Sequence, residues 1–142
     1  MRHRIAGKKL GRTPAQRNGL EKNLAIALFT HGTITTTRAK ADFVRGSAER
    51  LITVAKRGIA RAKEAGNEAP AVHARRIAAS RLYNDRDIVK KLFDNIAPHF
   101  EGRTGGYTRI YKLNPRKGDN AELVLLELVG FAAINEAASA AL

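Results

Sequence analysis

Residues 13–37 read TPAQRNGLEKNLAIALFTHGTITTT, a capped helix, a stop and a strand in direct succession. Thr13 offers an N-cap hydroxyl and Gln16 stands three residues on, completing a capping box. Pro14 falls at the first helical position, where its missing N–H costs nothing. Leu20, Leu24 and Leu28 follow at four-residue spacing and predict a buried stripe, with Arg17 and Lys22 off it and free to face solvent or phosphate. Gly32 supplies the stop. Thr33-Ile34-Thr35-Thr36-Thr37 is β-branched throughout and predicts a short strand.

Downstream of this strand the pattern is again helical. From Arg38 a long helix is expected to run to Arg57 or beyond, with Val44, Ala48, Leu51, Ala55 and Ile59 as its apolar face. Arg38, Arg45, Arg50, Lys56 and Arg57 are left largely for the other faces, and Gly58 is expected to weaken the last turns. Glu64 to Pro70, EAGNEAP, reads as a loop. Two shorter helices follow. One covers roughly Ala71 to Leu82. The next is capped near Asn84, with Asp85 and Asp87 in its first turn where the helix dipole favours negative charge. Ile88, Leu92 and Ile96 make its stripe, Phe93 lies beside it, and Pro98 ends it.

Tyr107 to Leu113 and Glu122 to Val129 predict a β-hairpin, joined by the turn formers of Asn114 to Asn120. Two strands alone are marginal, so the Ile34 strand is expected to pair with them. The expected class is therefore α+β: several helices packed on a small three-stranded mixed sheet. Upstream, MRHRIAGKKLGR (1–12) cannot bury an apolar face and reads as an extended basic N-terminal tail, ordered by a partner. Three segments result: a basic tail at 1–12, a compact α/β domain at 13–130, and an Ala-rich extension at 131–142.

Charge narrows the class of partner. Lys and Arg total 26 against 13 acidic residues, net +13, with a pI near 10.8. The excess is segregated: residues 1–62 hold 14 basic and 3 acidic residues, residues 63–142 hold 12 and 10, and the first 20 residues contain no acid. Solubility alone does not require such segregation, whereas a polyanion does. No apolar stretch is long enough for a membrane span, no apolar run follows the first charges as a secretory signal requires, and there are no cysteines. A cytoplasmic protein with no membrane partner is expected.

Catalytic chemistry finds little support. His3, His31, His73 and His99 are scattered, with no pair at helical metal-ligand spacing. Asp85 and Asp87 are explained by helix capping. Gly102-Arg103-Thr104-Gly105-Gly106 lacks the GK[ST] ending of a phosphate loop and leads into a strand. No enzyme, cofactor, metal or small-molecule substrate is expected. The glycine loop suits RNA better: Arg103, Tyr107 and Arg109 join flexible backbone to two guanidiniums and a ring. Tyr107 has two readings, stacked on an unpaired base or packed in the core. Arg116 and Lys117 stand in the hairpin turn. Arg2, Arg4, Lys8, Lys9 and Arg12, with His3, lie on a thin chain that can enter gaps between RNA helices. If those five cations and Arg17 each neutralise a phosphate, the log–log salt slope of binding is roughly −4 to −5. Lys22, Arg38 and Lys40 complete the candidate RNA-binding set. A DNA-binding architectural protein would need a groove-reading helix or dimer symmetry, and an RNA-modifying enzyme a cofactor motif. Neither is visible.

Met1-Arg-His-Arg4 with the basic, glycine-containing stretch after it resembles the start of the bacterial ribosomal protein L-seventeen family. Ile34-x-Thr36-Thr37-x-x-Lys40-Ala41 and Glu49-x-Leu51-Ile52-Thr53-x-Ala55-Lys56 resemble that family's segments, as do Lys91-Leu-Phe93, Gly105-Gly-Tyr-Thr-Arg-Ile110 and Gly118-Asp-Asn-Ala121. The likeness spans roughly Met1 to Val129. It implies a structural constituent of the large (50S) bacterial subunit that binds 23S rRNA near the polypeptide exit region. It also implies neighbouring large-subunit proteins as partners, a role in subunit assembly and translation, and an N-terminal tail reaching into rRNA. The linker around Glu64–Pro70 looks longer than in the shortest members, and the Ala-rich stretch after Gly130 lies outside the shared pattern.

Overall fold

The computed structural model describes residues 7–130. The expectations for Arg2, His3 and Arg4 and for the Ala-rich stretch 131–142 lie outside the described residues.

Helix α1 (Pro14–His31) begins as its sequence requires. The Gln16 amide N–H donates to the Thr13 hydroxyl at 3.4 Å, and the Thr13 N–H donates to the Gln16 side-chain oxygen at 3.1 Å. It ends on Gly32, whose left-handed φ of 72° lets its N–H reach the Leu28 carbonyl at 2.7 Å. Leu28 is buried and Leu20 and Leu24 are half-buried. Ala25 and Phe29 widen the stripe.

Strand β1 (Thr33–Thr37) runs without a linker into α2 (Arg38–Ala65), whose 28 residues carry it well past Arg57. Val44, Ala48, Leu51 and Ala55 are buried as expected, with Ile59 half-buried beside them. The helix continues unbroken through Gly58 to Ala65, whatever propensity the glycine costs it. Gly58 is buried where α3 (Ala69–Arg81) crosses, and a Cβ there would stand 2.4 Å from the Ala74 Cβ. The helix pair needs a residue without a side chain at that point. The loop expected over Glu64–Pro70 shrinks for a local reason. Gly66 caps α2 in a left-handed conformation, and the Asn67 side-chain oxygen takes the Ala69 N–H at 2.8 Å, so that Pro70 already lies in the first turn of α3.

The next cap is Asp85, not Asn84. Its carboxylate accepts from the Asp87 and Ile88 N–H groups at 3.1 and 3.2 Å, while Asn84 precedes it with positive φ. Helix α4 (Arg86–Lys91) widens into a π-helical turn (Leu92–Ile96) and closes with a short α5 (Ala97–His99), with Pro98 inside that last turn. Ile88, Leu92, Phe93 and Ile96 all face the core.

Strands β2 (Thr108–Lys112) and β3 (Leu123–Leu128) form the hairpin, and β1 pairs on the far side of β3, in the order β1-β3-β2. Both pairings are antiparallel, so the mixed sheet expected from the sequence is corrected. A parallel contact would need β1 beside β2. Instead the most apolar strand, β3, occupies the centre, where both its edges are hydrogen-bonded and Val124, Leu126 and Leu128 are buried. Ile34, Leu126 and Ile110 share one row of the inner face, above a core that includes Phe29, Phe93, Phe100 and Tyr107. The fold is α+β, with helices covering one face of the sheet.

Candidate nucleic-acid interface

The cations split into those held by the fold and those left outward. Lys8 and Arg38 share one acid: Asp42 accepts from the Lys8 amine at 3.2 Å and from the Arg38 Nε at 3.1 Å. Burial pushes the Asp42 carboxyl up, but hydrogen bonds from Arg38 and Lys8 outweigh it and hold the group below its ordinary range. The link ties the segment before α1 to the start of α2. Between Lys9 and Arg12 the chain turns, with Leu10 and Gly11 both at positive φ and the Arg12 N–H donating to the Lys9 carbonyl at 3.1 Å. Lys9 and Arg12 enter none of the ion pairs among the described residues. Arg17 is half-buried, its Nε without a hydrogen-bond partner. Lys22 donates to the Ser80 carbonyl at 3.0 Å and lies 4.9 Å from the centre of the Tyr83 ring. Lys40 is half-buried in the first turn of α2.

The glycine loop is fastened from behind. Lys56 donates to the Arg103 carbonyl and to the Tyr107 hydroxyl, and that hydroxyl donates to the Arg103 carbonyl at 3.3 Å. Tyr107 is only 2 % exposed, and its ring packs 5.1 Å from Phe100. The packed reading of Tyr107 therefore holds, and its candidacy as a base-stacking residue is corrected: hydrophobic burial and a satisfied hydroxyl keep the ring inside. The Arg103 side chain remains exposed.

On the outer face of the sheet Arg109 donates to the Tyr111 hydroxyl at 3.2 Å, which donates to Glu127 at 3.1 Å. In the hairpin turn Arg116 grips Asp119 with two bonds, 3.0 and 2.6 Å, and the pairing lowers the Asp119 carboxyl to about 2. Arg116 is thus engaged in closing its own turn, although both it and Lys117 beside it are exposed, and Lys117 enters none of the ion pairs among the described residues.

Three cations outside the candidate set complete the picture. Arg50, Arg57 and Arg61 stand on α2 at i, i+7 and i+11, which places them within about 40° of one another around the axis. All three are exposed, and none enters an ion pair among the described residues. Periodicity sets Arg50 and Arg57 off the apolar stripe, but the row becomes visible only once α2 is known to continue to Ala65 and carry Arg61. Of the acids of α2, Asp42 holds Lys8 and Arg38, Glu49 accepts from the Thr108 N–H and hydroxyl at 3.2 and 2.8 Å, fastening β2 to α2, and Glu64 stands exposed one turn beyond Arg61, where it ends the row. Between Arg50 and Arg61 the helix carries no acid, and the row is a one-sign stripe with spacings of about 10 and 6 Å along the axis, suited to a phosphate backbone. No group of three or more His, Asp or Glu side chains positioned to hold a metal occurs among the described residues, and no described helix is long and apolar enough to cross a membrane.

A family model described as Ribosomal protein L17 matches residues 20–129. The Large ribosomal subunit protein bL17 of Nitratidesulfovibrio vulgaris is 49 % identical over 141 residues, covering 99 % of this chain and 96 % of that protein. The protein of the same description from Rubrobacter xylanophilus is 47 % identical over 129 residues, 91 % and 96 % of the two chains. That from Clostridium acetobutylicum is 46 % identical over 122 residues, 86 % and 96 %.

Proposed function

The chain belongs to the ribosomal protein L17 family, and from that premise we propose that it is a structural, non-catalytic constituent of the large ribosomal subunit in the bacterial cytoplasm, where it binds 23S rRNA and supports subunit assembly. The observation that carries the RNA contact is the one-sign row Arg50, Arg57, Arg61 on a protein of net charge +13. Guanidiniums without acid partners at phosphate-like spacing release counterions when they meet RNA, which supplies affinity and placement more than base specificity.

In this reading Arg2, His3, Arg4, Lys8, Lys9 and Arg12 act with Arg17, Lys22, Arg38 and Lys40 at the N-terminal end of the domain. Arg103, Arg109 and Lys117 add contacts on the sheet side, and neighbouring large-subunit proteins complete the surroundings. Arg116 contributes less, because Asp119 competes with phosphate for it.

Sedimentation of a tagged chain from bacterial lysate, with a high-salt wash, tests this. Retention in the 50S and 70S fractions is expected, and deletion of residues 1–12 should weaken it. A chain found free or on the nucleoid would overturn the ribosomal assignment.

A further inference from the structure

A cleft of about 470 Å³ opens between α1, α2 and α3, within the size range of small-ligand sites. Leu51, Val54 and Ile77 give it an apolar floor, and Ile77 is 38 % exposed there. Lys22, Arg50 and Arg81 stand around it together with one acid, Glu21. Glu21 enters none of the ion pairs among the described residues despite these three cations, so its carboxylate is an available acceptor. On the far side of Lys22 lies Tyr83, the most exposed large hydrophobic residue described, at 53 %. Tyr83 and Asn84 hold φ of 54° and 58° without being glycine, a backbone state that a tyrosine rarely adopts. Such strain persists where the fold enforces it, and it gathers at binding sites. Here it is enforced by the buried Leu82 on one side and by the Asn84 N–H bonded to the Ala79 carbonyl at 2.8 Å on the other. The result turns the Tyr83 ring outward over α1, with its hydroxyl against Gly19.

We propose that this cleft receives one unpaired guanine of the bound RNA and that Tyr83 stacks the adjacent base, a site that rests on the RNA-binding reading above. An apolar floor takes a flat base, and cations at the rim take the phosphates on either side of it. A carboxylate repels phosphate but accepts N–H donors, so the group facing Glu21 is the base edge. The Watson–Crick edge of guanine presents N1–H and the N2 amine side by side, two donors for two carboxylate oxygens. Adenine, cytosine and uracil each offer a single donor group there. Arg50 thereby belongs to both the cleft rim and the α2 row, which makes the cleft continuous with the phosphate-binding stripe.

The test uses the full chain and four fluorescein-labelled RNA hairpins of identical stem: one with a single bulged guanosine, one with adenosine, one with uridine and one with no bulge. Anisotropy titration of the unaltered chain is expected to show the guanosine hairpin bound about fivefold or more tighter than the other three, as stacking and edge pairing together allow. Glu21→Gln should raise affinity for every hairpin by removing a negative charge, yet abolish the guanosine-to-adenosine ratio. Tyr83→Ala should weaken the bulged hairpins about fivefold or more and leave the unbulged one unchanged. Equal affinity for all four hairpins, or a guanosine preference that survives Glu21→Gln, overturns the cleft while leaving RNA binding intact. Failure to bind any hairpin at low salt overturns the RNA reading and the cleft with it. Because the base series is read on the unaltered chain, that arm of the test does not depend on any variant folding.

Discussion

Two faces of helix α2 divide the work of the protein. One carries Val44, Ala48, Leu51, Ile52, Ala55 and Gly58, buried against α1, α3, the sheet and the π-helical turn that follows α4. The other carries Arg50, Arg57 and Arg61, exposed and outside every ion pair among the described residues. The first face is close-packed and tolerates neither loss nor gain of a methyl group. The second has no packing to lose and derives its meaning from charge alone. Substitutions on the first face, Leu51 at the cleft floor apart, should therefore change stability without touching RNA affinity, and substitutions on the second the reverse.

The largest effect expected is on the packed face. Ile52 is fully buried, and Ile52→Ala should cost about 2–5 kcal/mol of unfolding free energy. Urea unfolding should detect this, with the salt slope of RNA binding unchanged. A slope that falls as well would mean that the two faces are not independent.

Next comes the charged face. Replacing Arg50, Arg57 and Arg61 together by Gln should reduce the log–log salt slope by about 3 and lower RNA affinity on the order of a hundredfold near physiological salt. Stability should move by less than about 0.5 kcal/mol, as for surface positions generally. An unchanged slope would remove the row from the interface.

A smaller change is expected at Gly58. Gly58→Ala gains helix propensity, worth about 1 kcal/mol, but drives a Cβ to 2.4 Å from that of Ala74. Overpacking of this kind costs about 1–3 kcal/mol, so net destabilisation is expected, on the order of 1 kcal/mol. A more stable variant in thermal unfolding would show that α2 and α3 separate easily and that the glycine is incidental.

The smallest effect concerns a cation that resembles the α2 row in sequence and differs from it in the fold. Arg116 holds the Asp119 carboxyl near 2, below its ordinary 3.8. A carboxyl with a depressed folded-state pKa stabilises the fold above its unfolded value and loses that contribution as pH falls through the folded one. The Arg116–Asp119 pair is thus intact above about pH 4 and dissolves only toward pH 2. Arg116→Gln should return the Asp119 titration, followed by NMR, most of the way to the ordinary value, while the Ala121 N–H bond at 3.3 Å retains a small part of the depression. Thermal stability at neutral pH should barely change, because exposed pairs contribute little. An unmoved midpoint would mean that the backbone of the turn, and not the guanidinium, sets the shift.

Much of this was legible from residues 13–37, because capping boxes, glycine stops and β-branched runs act over a few residues. The signals of α1 and β1 lie inside the elements they specify or at the residues that flank them. The hairpin was legible for the same reason. Charge segregation pointed to a polyanion because it needs only counting. Tyr107 was read less well: it looks like an RNA-binding residue in a linear reading, yet its ring is buried and its hydroxyl is held by a lysine 51 residues away. The acid partner of Arg116, three residues away, also shows only in the folded turn.

By itself, then, the sequence determined the helix and strand inventory, the α+β class, the basic surplus of the front half and the absence of disulfide chemistry, since all of these depend on local periodicity or on composition. Tertiary structure alone decided that β3 lies at the centre of an antiparallel sheet, that Gly58 is a crossing point, that Tyr107 is inside and Tyr83 outside, and that Arg50 borders a cleft shared by three helices. The reason is physical: each of these depends on which surfaces meet at a distance along the chain. Contact between distant residues is selected by the packing of the whole core, which no window of neighbouring residues contains.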